Sequence, residues 1–408
     1  MSDSFRLTTI SNCPNREIAQ RNIAMTGSCL YLDHHATTPV DPRVLDVMHP
    51  WFGEKFGNAS SINHDYGEEA AFAISEARKQ IADLVSASLE EIVFTSGATE
   101  ANNLAIKGVL WASPAGSHLI VSAAEHRAVL DPAKRLMRQG YNLTILPVDR
   151  FGRVDLDELE SAIKPETVLV SIIWANNEIG TLSSVEKIAR ICRQHNVVFH
   201  SDAAQAVGRI PVNLKETACD LLSISAHKFY GPKGVGALFV RKKDRRIKLE
   251  PLFHGGGHER GFRSGTLPVP LIVGFGQAAE IALRSMSEEN RKIAMLRDRL
   301  WQGLSQKLNG IHRSGDPLHT LPGNLNVSFE DVNGDALLNS LKGIAVSSGS
   351  ACSSADPEPS HVLKAIGLPD AMVRASLRFG IGRFNTPDEI DRVIEIVTNS
   401  INRLRNTV

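Results

Sequence analysis

From residue 67 onward, short apolar runs alternate with amphipathic stretches of helix length, and most of the runs open onto polar residues at their carboxyl ends. The segment EEAAFAISEARKQIADLVSA (68–87) sets Ile74, Ala77, Ile81, Leu84 and Val85 on one helical stripe. IVFT (92–95) follows, then the helix-like ATEANNLAIKGVL. LIVS (119–122), LTIL (143–146), VLVSII (168–173), VVFH (197–200), LLSI (221–224) and ALFV (237–240) continue the series. Runs of four to six residues separated by helices predict an α/β fold with a mostly parallel sheet of seven strands, covered by helices on both faces.

Ligands of such sheets collect beyond the carboxyl ends of the strands. There the sequence puts Ser96-Gly97-Ala98-Thr99 after IVFT, and Glu125 and His126 after LIVS. Asn176, Asn177 and Glu178 follow VLVSII, Ser201 and Asp202 follow VVFH, and Ser225, Ala226, His227 and Lys228 follow LLSI. Hydroxyls, an imidazole, an amide, a carboxylate and an amine thus converge on one edge. Beyond about residue 285 the rhythm changes to a charged helix, strand-like NLNVSFE, the helix GDALLNSLKG and a terminal amphipathic helix, which reads as a smaller α+β domain. The expected division is a tail over 1–29, a large domain over 46–285, and a small domain from 30–45 with 286–408.

At 408 residues the chain is long enough for two cores, and its 45 basic residues balance 45 acidic ones. A net charge of zero supplies no field for nucleic acid or a membrane surface, so direct nucleic-acid binding and membrane association are not expected. No apolar window reaches the roughly 18 residues of a membrane span. Five cysteines without paired spacing suit a reducing compartment, the cytoplasm. Residues 1–29 are polar and aperiodic, and the expectation is a disordered tail, with a transit peptide as the alternative reading.

Taken singly, each polar residue has a plain explanation. Lys228, before the glycine-rich GPKGVG, suits a Schiff base with an aldehyde cofactor, yet alone it reads as a surface charge. Asp202 strengthens the first reading, since a buried carboxylate can keep a pyridine nitrogen protonated. Gly97-Ala98-Thr99 opens a helix, where backbone N–H groups bind phosphate or simply need a cap. His126 could stack on a flat ring or sit on the surface. Arg378 is either a carboxylate clamp or a surface arginine. Cys352 lies in SSGSACSSADPEPS, a stretch (about 347–360) whose composition predicts a mobile loop, where an exposed thiol needs a chemical purpose. Cys192 and Cys219 read as core residues.

The motifs YLDHHATTPVD, FTSGATEANNLAI, EHRAVL, WANNEIG, HSDAAQAVG, SAHKFYGPKGVGAL, HGGGHERGFRSGT, SSGSACSSADPEPSHVL and LRFGIGRF occur in this order between about residues 30 and 405. Together they resemble the class V aminotransferase family, and within it the group I cysteine desulfurases of the NifS/IscS type. That resemblance implies a fold-type I enzyme using pyridoxal 5'-phosphate. Lys228 would hold the cofactor and move the α-proton, Asp202 would pair with the ring nitrogen, and Gln205 would bond the ring oxygen. His126 would stack on the ring and serve in proton transfer. Ala98, Thr99, Ser225 and His227 would hold the phosphate, with Thr266 reaching in from the second subunit of a homodimer. Asn177 and Arg378 would bind the carboxylate of L-cysteine, and Cys352 would take its sulfur as a persulfide. The sequence ends without the longer tail by which some members dock a scaffold, so the protein acceptor stays open among iron–sulfur assembly, tRNA thiolation and DNA phosphorothioation. Selenocysteine lyase, a true aminotransferase and a non-catalytic sulfur-transfer scaffold are the competing readings.

Overall fold

The computed structural model describes residues 29–243, 247–348 and 359–406. The chain opens with a short strand β1 (Leu30–Tyr31), α1 (Pro42–Met48) and the long α2 (Asp65–Leu84). Then the alternation predicted above runs through β2 (Ile92–Thr95), α3 (Ala98–Trp111), β3 (His118–Ser122), α4 (Arg127–Met137), β4 (Asn142–Leu146), α5 (Leu156–Ala162), β5 (Thr167–Ser171), α6 (Val185–Gln194), β6 (Val198–Asp202), β7 (Leu221–Ser225) and β8 (Gly236–Val240). After these come the helix α7 (Val269–Lys307), strands β9 (Ile311–Ser314) and β10 (Asn324–Phe329), and α8 (Gly334–Ser340). The chain closes with β11 (Ile344–Ala345), β12 (Ser347–Ser348), α9 (His361–Ala365), α10 (Asp370–Arg374), β13 (Ser376–Gly380) and α11 (Pro387–Arg405).

Seven strands form one sheet in the order β2-β8-β7-β6-β5-β3-β4. β8 runs antiparallel to both neighbours, and every other pair is parallel. Strands buried on both faces need no alternation, which is why β2, β3, β6, β7 and β8 are buried along their whole length. Only β4, at the edge, carries exposed positions. Because β2 and β7 are both antiparallel to β8, the carboxyl end of β2 lies at the same edge as the ends of β6 and β7.

One core lies on the sheet face that carries Phe94, Phe199 and Phe239, together with α2 and the first half of α7. The other face packs against α3 and α4. α2 and α7 approach closely: a Cβ added at Gly276 would sit 2.6 Å from the Ala77 Cα, so only glycine fits that crossing. A separate core joins the antiparallel sheet β12-β13-β10-β9 to the second half of α7 and to α11.

The sequence suggested a charged helix from about Glu288, but α7 begins at Val269 and runs for 39 residues. Its first half, VPLIVGFGQAAEIA, is apolar nearly all round and shows no polar stripe. The expected division near residue 285 therefore falls inside one continuous helix. β1 pairs with β11, which puts residue 30 beside residue 344.

Candidate active site

Asp202 ends β6 and is buried, with both carboxylate oxygens engaged. Oδ1 accepts from the Ala204 N–H at 3.0 Å, and Oδ2 accepts from Asn102 Nδ2 at 2.7 Å. Asn102 stands on the buried face of α3, so the helix after β2 fixes the carboxylate after β6. The first turn of α3 has Gly97 as its N-cap and receives no side-chain cap. Gly97 has φ +151°, a conformation that glycine alone takes without strain. A Cβ on the neighbouring Gly236 would stand 2.7 Å from the Gly97 Cα. Bare backbone N–H groups with a positive dipole end are suited to a phosphate. Ala98 is half-buried and Thr99 exposed there, while Ser225 is buried at the end of β7.

Lys228 closes a 3-10 turn, Ala226–Lys228, beyond β7. Its Nζ donates to the carbonyls of His35 and Ala36, each at 2.8 Å. Gln205 Nε2 donates to the same His35 oxygen at 2.8 Å. The Thr37 hydroxyl lies 3.1 Å from His227 Nδ1, and Thr38 Oγ1 donates to the His227 carbonyl at 3.0 Å. Burial, with Lys228 nearby, lowers the His227 pKa to about 4, so its ring is neutral near pH 7.

Arg209 completes this cluster and was not singled out in the sequence. Its guanidinium is held by backbone oxygens, with Nε and Nη2 donating to the Lys228 carbonyl and Nη2 also to that of His34. Burial lowers its pKa to about 10. The His34-His35 pair, which had no assigned meaning, thus supplies carbonyl oxygens to the lysine and the arginine. The His35 ring faces Arg209 and is buried, which drives its pKa well below the ordinary value.

His126 caps α4, its Nδ1 accepting from the Ala128 N–H at 3.1 Å, so the neutral ring carries its proton on Nε2. The residue is exposed. Surrounding protein lowers its pKa against the attraction of Asp202, and the charges of Asp202 and Lys228 both act on it. Beside it, Glu125 is buried, and burial raises its carboxyl to about 8.

Arg378, on β13, is 5% exposed. Its Nη1 donates to the Asn177 carbonyl at 2.9 Å, and its Nη2 donates to Asp33 Oδ1 at 2.9 Å and Ser347 Oγ at 2.8 Å. Among the described residues, Arg378 Nε, Asn177 Oδ1 and Gln205 Oε1 are buried polar atoms without a partner. Burying such atoms is costly unless a ligand completes them.

One expected residue is not brought into this cluster. Thr266 is exposed on the loop before α7. Cys352 lies outside the described residues, although Ser347 and Ser360 on either side of it are held against Asp33 and Glu178. Asn102 was missed although it carried a signal: an amide on a helical face whose neighbours Ala101, Leu104 and Ala105 are apolar. Asp33 stood inside a quoted motif without a role. Nothing local marked Arg209.

The donor set fits pyridoxal phosphate: an amine, a buried carboxylate, an uncapped helix start and unpartnered amide oxygens at one sheet edge. The sequence model for aminotransferase class-V matches residues 30–393. The chain is 51% identical over 379 residues to "Cysteine desulfurase IscS" of Shewanella sp. strain ANA-3, covering 92% of this chain and 93% of that one. It is 49% identical over 395 residues to "Cysteine desulfurase, mitochondrial" of Arabidopsis thaliana, covering 97% and 87%. A solved structure titled "NIFS-LIKE PROTEIN" superposes with a TM-score of 0.86 at 39% identity, covering 92% of this chain and all of that one.

Proposed function

The chain belongs to the class V aminotransferase family and is a pyridoxal-phosphate-dependent cysteine desulfurase, and on that premise we propose which of its residues carry the reaction. The observation behind the assignment is the meeting of Lys228 and Gln205 on the His35 carbonyl, at the sheet edge that also bears Asp202 and the uncapped start of α3.

When bound, the cofactor supplies a carbonyl carbon for amines and a ring that draws electrons from the substrate's α-carbon. Lys228 holds it through Nζ and afterwards carries the α-proton. Asp202, kept in place by Asn102 and the Ala204 N–H, keeps the ring nitrogen protonated. Gln205 bonds the ring oxygen. Ala98, Thr99, Ser225 and His227 hold the phosphate. His126 would stack on the ring and would offer its Nε2 proton. Asn177 and Arg378 take the α-carboxylate of L-cysteine, which fixes the substrate sulfur relative to the attacking thiol.

Cys352 then acts as the nucleophile. Its thiolate forms an S–S bond to the substrate sulfur as the C–S bond breaks. The pair from that bond stays with carbon, which takes up a proton and leaves as L-alanine. The persulfide passes to a protein acceptor, with iron–sulfur assembly the first candidate because IscS relatives cover nine-tenths of the chain.

We also read the enzyme as a homodimer in which Thr266 reaches the phosphate of the other subunit's site. Its exposure supports this, as do Phe52, Phe56, Ile62 and Phe72, which are each at least 66% exposed on one stretch of chain. Two separate cores support a large unit and a smaller one, although α7 spans the proposed bound near 285 and Val44 and Leu321, proposed for the smaller unit (30–45 and 286–408), pack in the core of the larger (46–285). Cys29, Cys192 and Cys219, which form no disulfide among the described residues, suit the cytoplasm. Among the described residues no helix is long and apolar enough to cross a membrane.

The test is alanine and sulfide production from L-cysteine with a reductant, in wild type and in Cys352→Ser. Equal amounts from wild type and neither from the variant support the assignment. Undiminished turnover in the variant removes Cys352 from it.

A further inference from the structure

Asp33 and Arg378 form a charge pair across 345 residues of chain, and the pair is built into rigid surroundings. Arg378 lies in the middle of β13, opposite Asn326 of β10 and Ser347 of β12. Asp33 pairs with Gly380 through an isolated bridge. Its carbonyl accepts from Tyr31 Oη at 3.1 Å and from the Ala36 N–H at 2.9 Å. One oxygen, Oδ1, takes both Arg378 Nη2 at 2.9 Å and Ser347 Oγ at 2.8 Å. The Arg378 side chain is 6% exposed and that of Asp33 19%, so the pair is approached from the carboxylate's side.

Removing the partner of a buried guanidinium is costly, and two carboxylates crowding one guanidinium repel each other. Substrate L-cysteine and product L-alanine carry the same α-carboxylate. A stronger hold on that group lowers KM without helping the chemical step, and it delays departure of the product. We propose that Asp33 is the resident counter-ion of Arg378: it neutralises and orients the guanidinium in the empty site, then shares it with an arriving α-carboxylate, and so limits how tightly substrate and product are held. Asp33 is a positioning residue that acts through Arg378. This rests on the reading of Arg378 as the carboxylate site.

Asp33→Asn keeps the shape and an oxygen for Nη2 and Ser347 but removes the charge. With the cofactor-loaded enzyme, KM for L-cysteine and the dissociation constant for L-alanine, read from the cofactor's visible spectrum, are expected to fall about fivefold or more, with kcat changing less. The unliganded variant melts lower than wild type, and L-alanine raises its Tm by more than it raises that of wild type. A residue that only supported the fold would lower Tm without tightening either constant. Asp33→Ser, which loses the charge with a different shape, moves both constants the same way, while Asp33→Glu keeps them near wild type. Arg378→Ala is measured alongside and weakens both. If Arg378→Ala leaves both unchanged, the carboxylate reading falls and the counter-ion proposal with it. If Arg378→Ala weakens binding while the Asn and Ser variants fail to tighten it, the counter-ion proposal alone is overturned.

Discussion

Asn102 Nδ2 donates to Asp202 Oδ2 across 2.7 Å, and both side chains are buried. The contact joins the second turn of α3 to the last residue of β6. One helix thereby has an uncapped start at the sheet edge and, a turn later, fixes the buried carboxylate of Asp202.

Asn102→Ala takes a donor from a buried charged acceptor. The cofactor-free protein is expected to lose about 1.5–3 kcal/mol, the usual worth of a hydrogen bond to an ionised group. Urea unfolding of the variant against wild type measures it, and equal midpoints and slopes would mean the contact does not hold Asp202.

The Lys228 ammonium donates to the His35 and Ala36 carbonyls at the end of its side chain. Lys228→Ala should therefore fold, with the far-ultraviolet circular dichroism of wild type, yet lack the visible absorbance of lysine-linked cofactor and make no alanine. A variant that retained the band would move the attachment to another amine.

Glu125 makes stability depend on pH. Burial raises its carboxyl to about 8 from an ordinary 4.5, against the Ser122 hydroxyl and Ile173 N–H that favour the ion, and with Asp202 adding repulsion. Below the ordinary value both folded and unfolded chains are protonated there, and the group contributes nothing. As pH rises toward 8 the unfolded chain ionises first, so stability falls, by up to about 1.4 kcal/mol per pH unit. Above 8 both states are ionised and the fall stops. Glu125→Gln removes this dependence. Denaturation of both proteins at about pH 5 and about pH 8 should show wild type losing ground to the variant, and parallel behaviour would refute it.

Cys192 and Cys219 are fully buried, and burial pushes the Cys219 thiol well up. Neither should react with iodoacetamide until the chain is unfolded, whereas Cys29, which is exposed, should react in the native protein. Peptide mass spectrometry reads each site separately. Early labelling of Cys192 would indicate that α6 opens in the native state.

The sequence by itself determined the sheet and the edge where the candidate site residues gather. IVFT, LLSI and ALFV lie within β2, β7 and β8, because a strand buried on both faces is written as one continuous apolar run. The placement of Asp202 at the end of β6 and of Lys228 just beyond β7 was legible for the same reason, since polar residues that follow such a run emerge at the sheet's edge. The start of α7 was not legible, because a helix surrounded by other elements shows no stripe. Nor were the partnerships that set each group's charge and direction. Asp33 with Arg378, Asn102 with Asp202, and Arg209 with the His34 and Lys228 carbonyls are contacts between residues far apart in the chain. Local patterns record which way a side chain faces, through the periods of helix and strand. Which group it then meets depends on how the layers pack, and only the tertiary structure decided that.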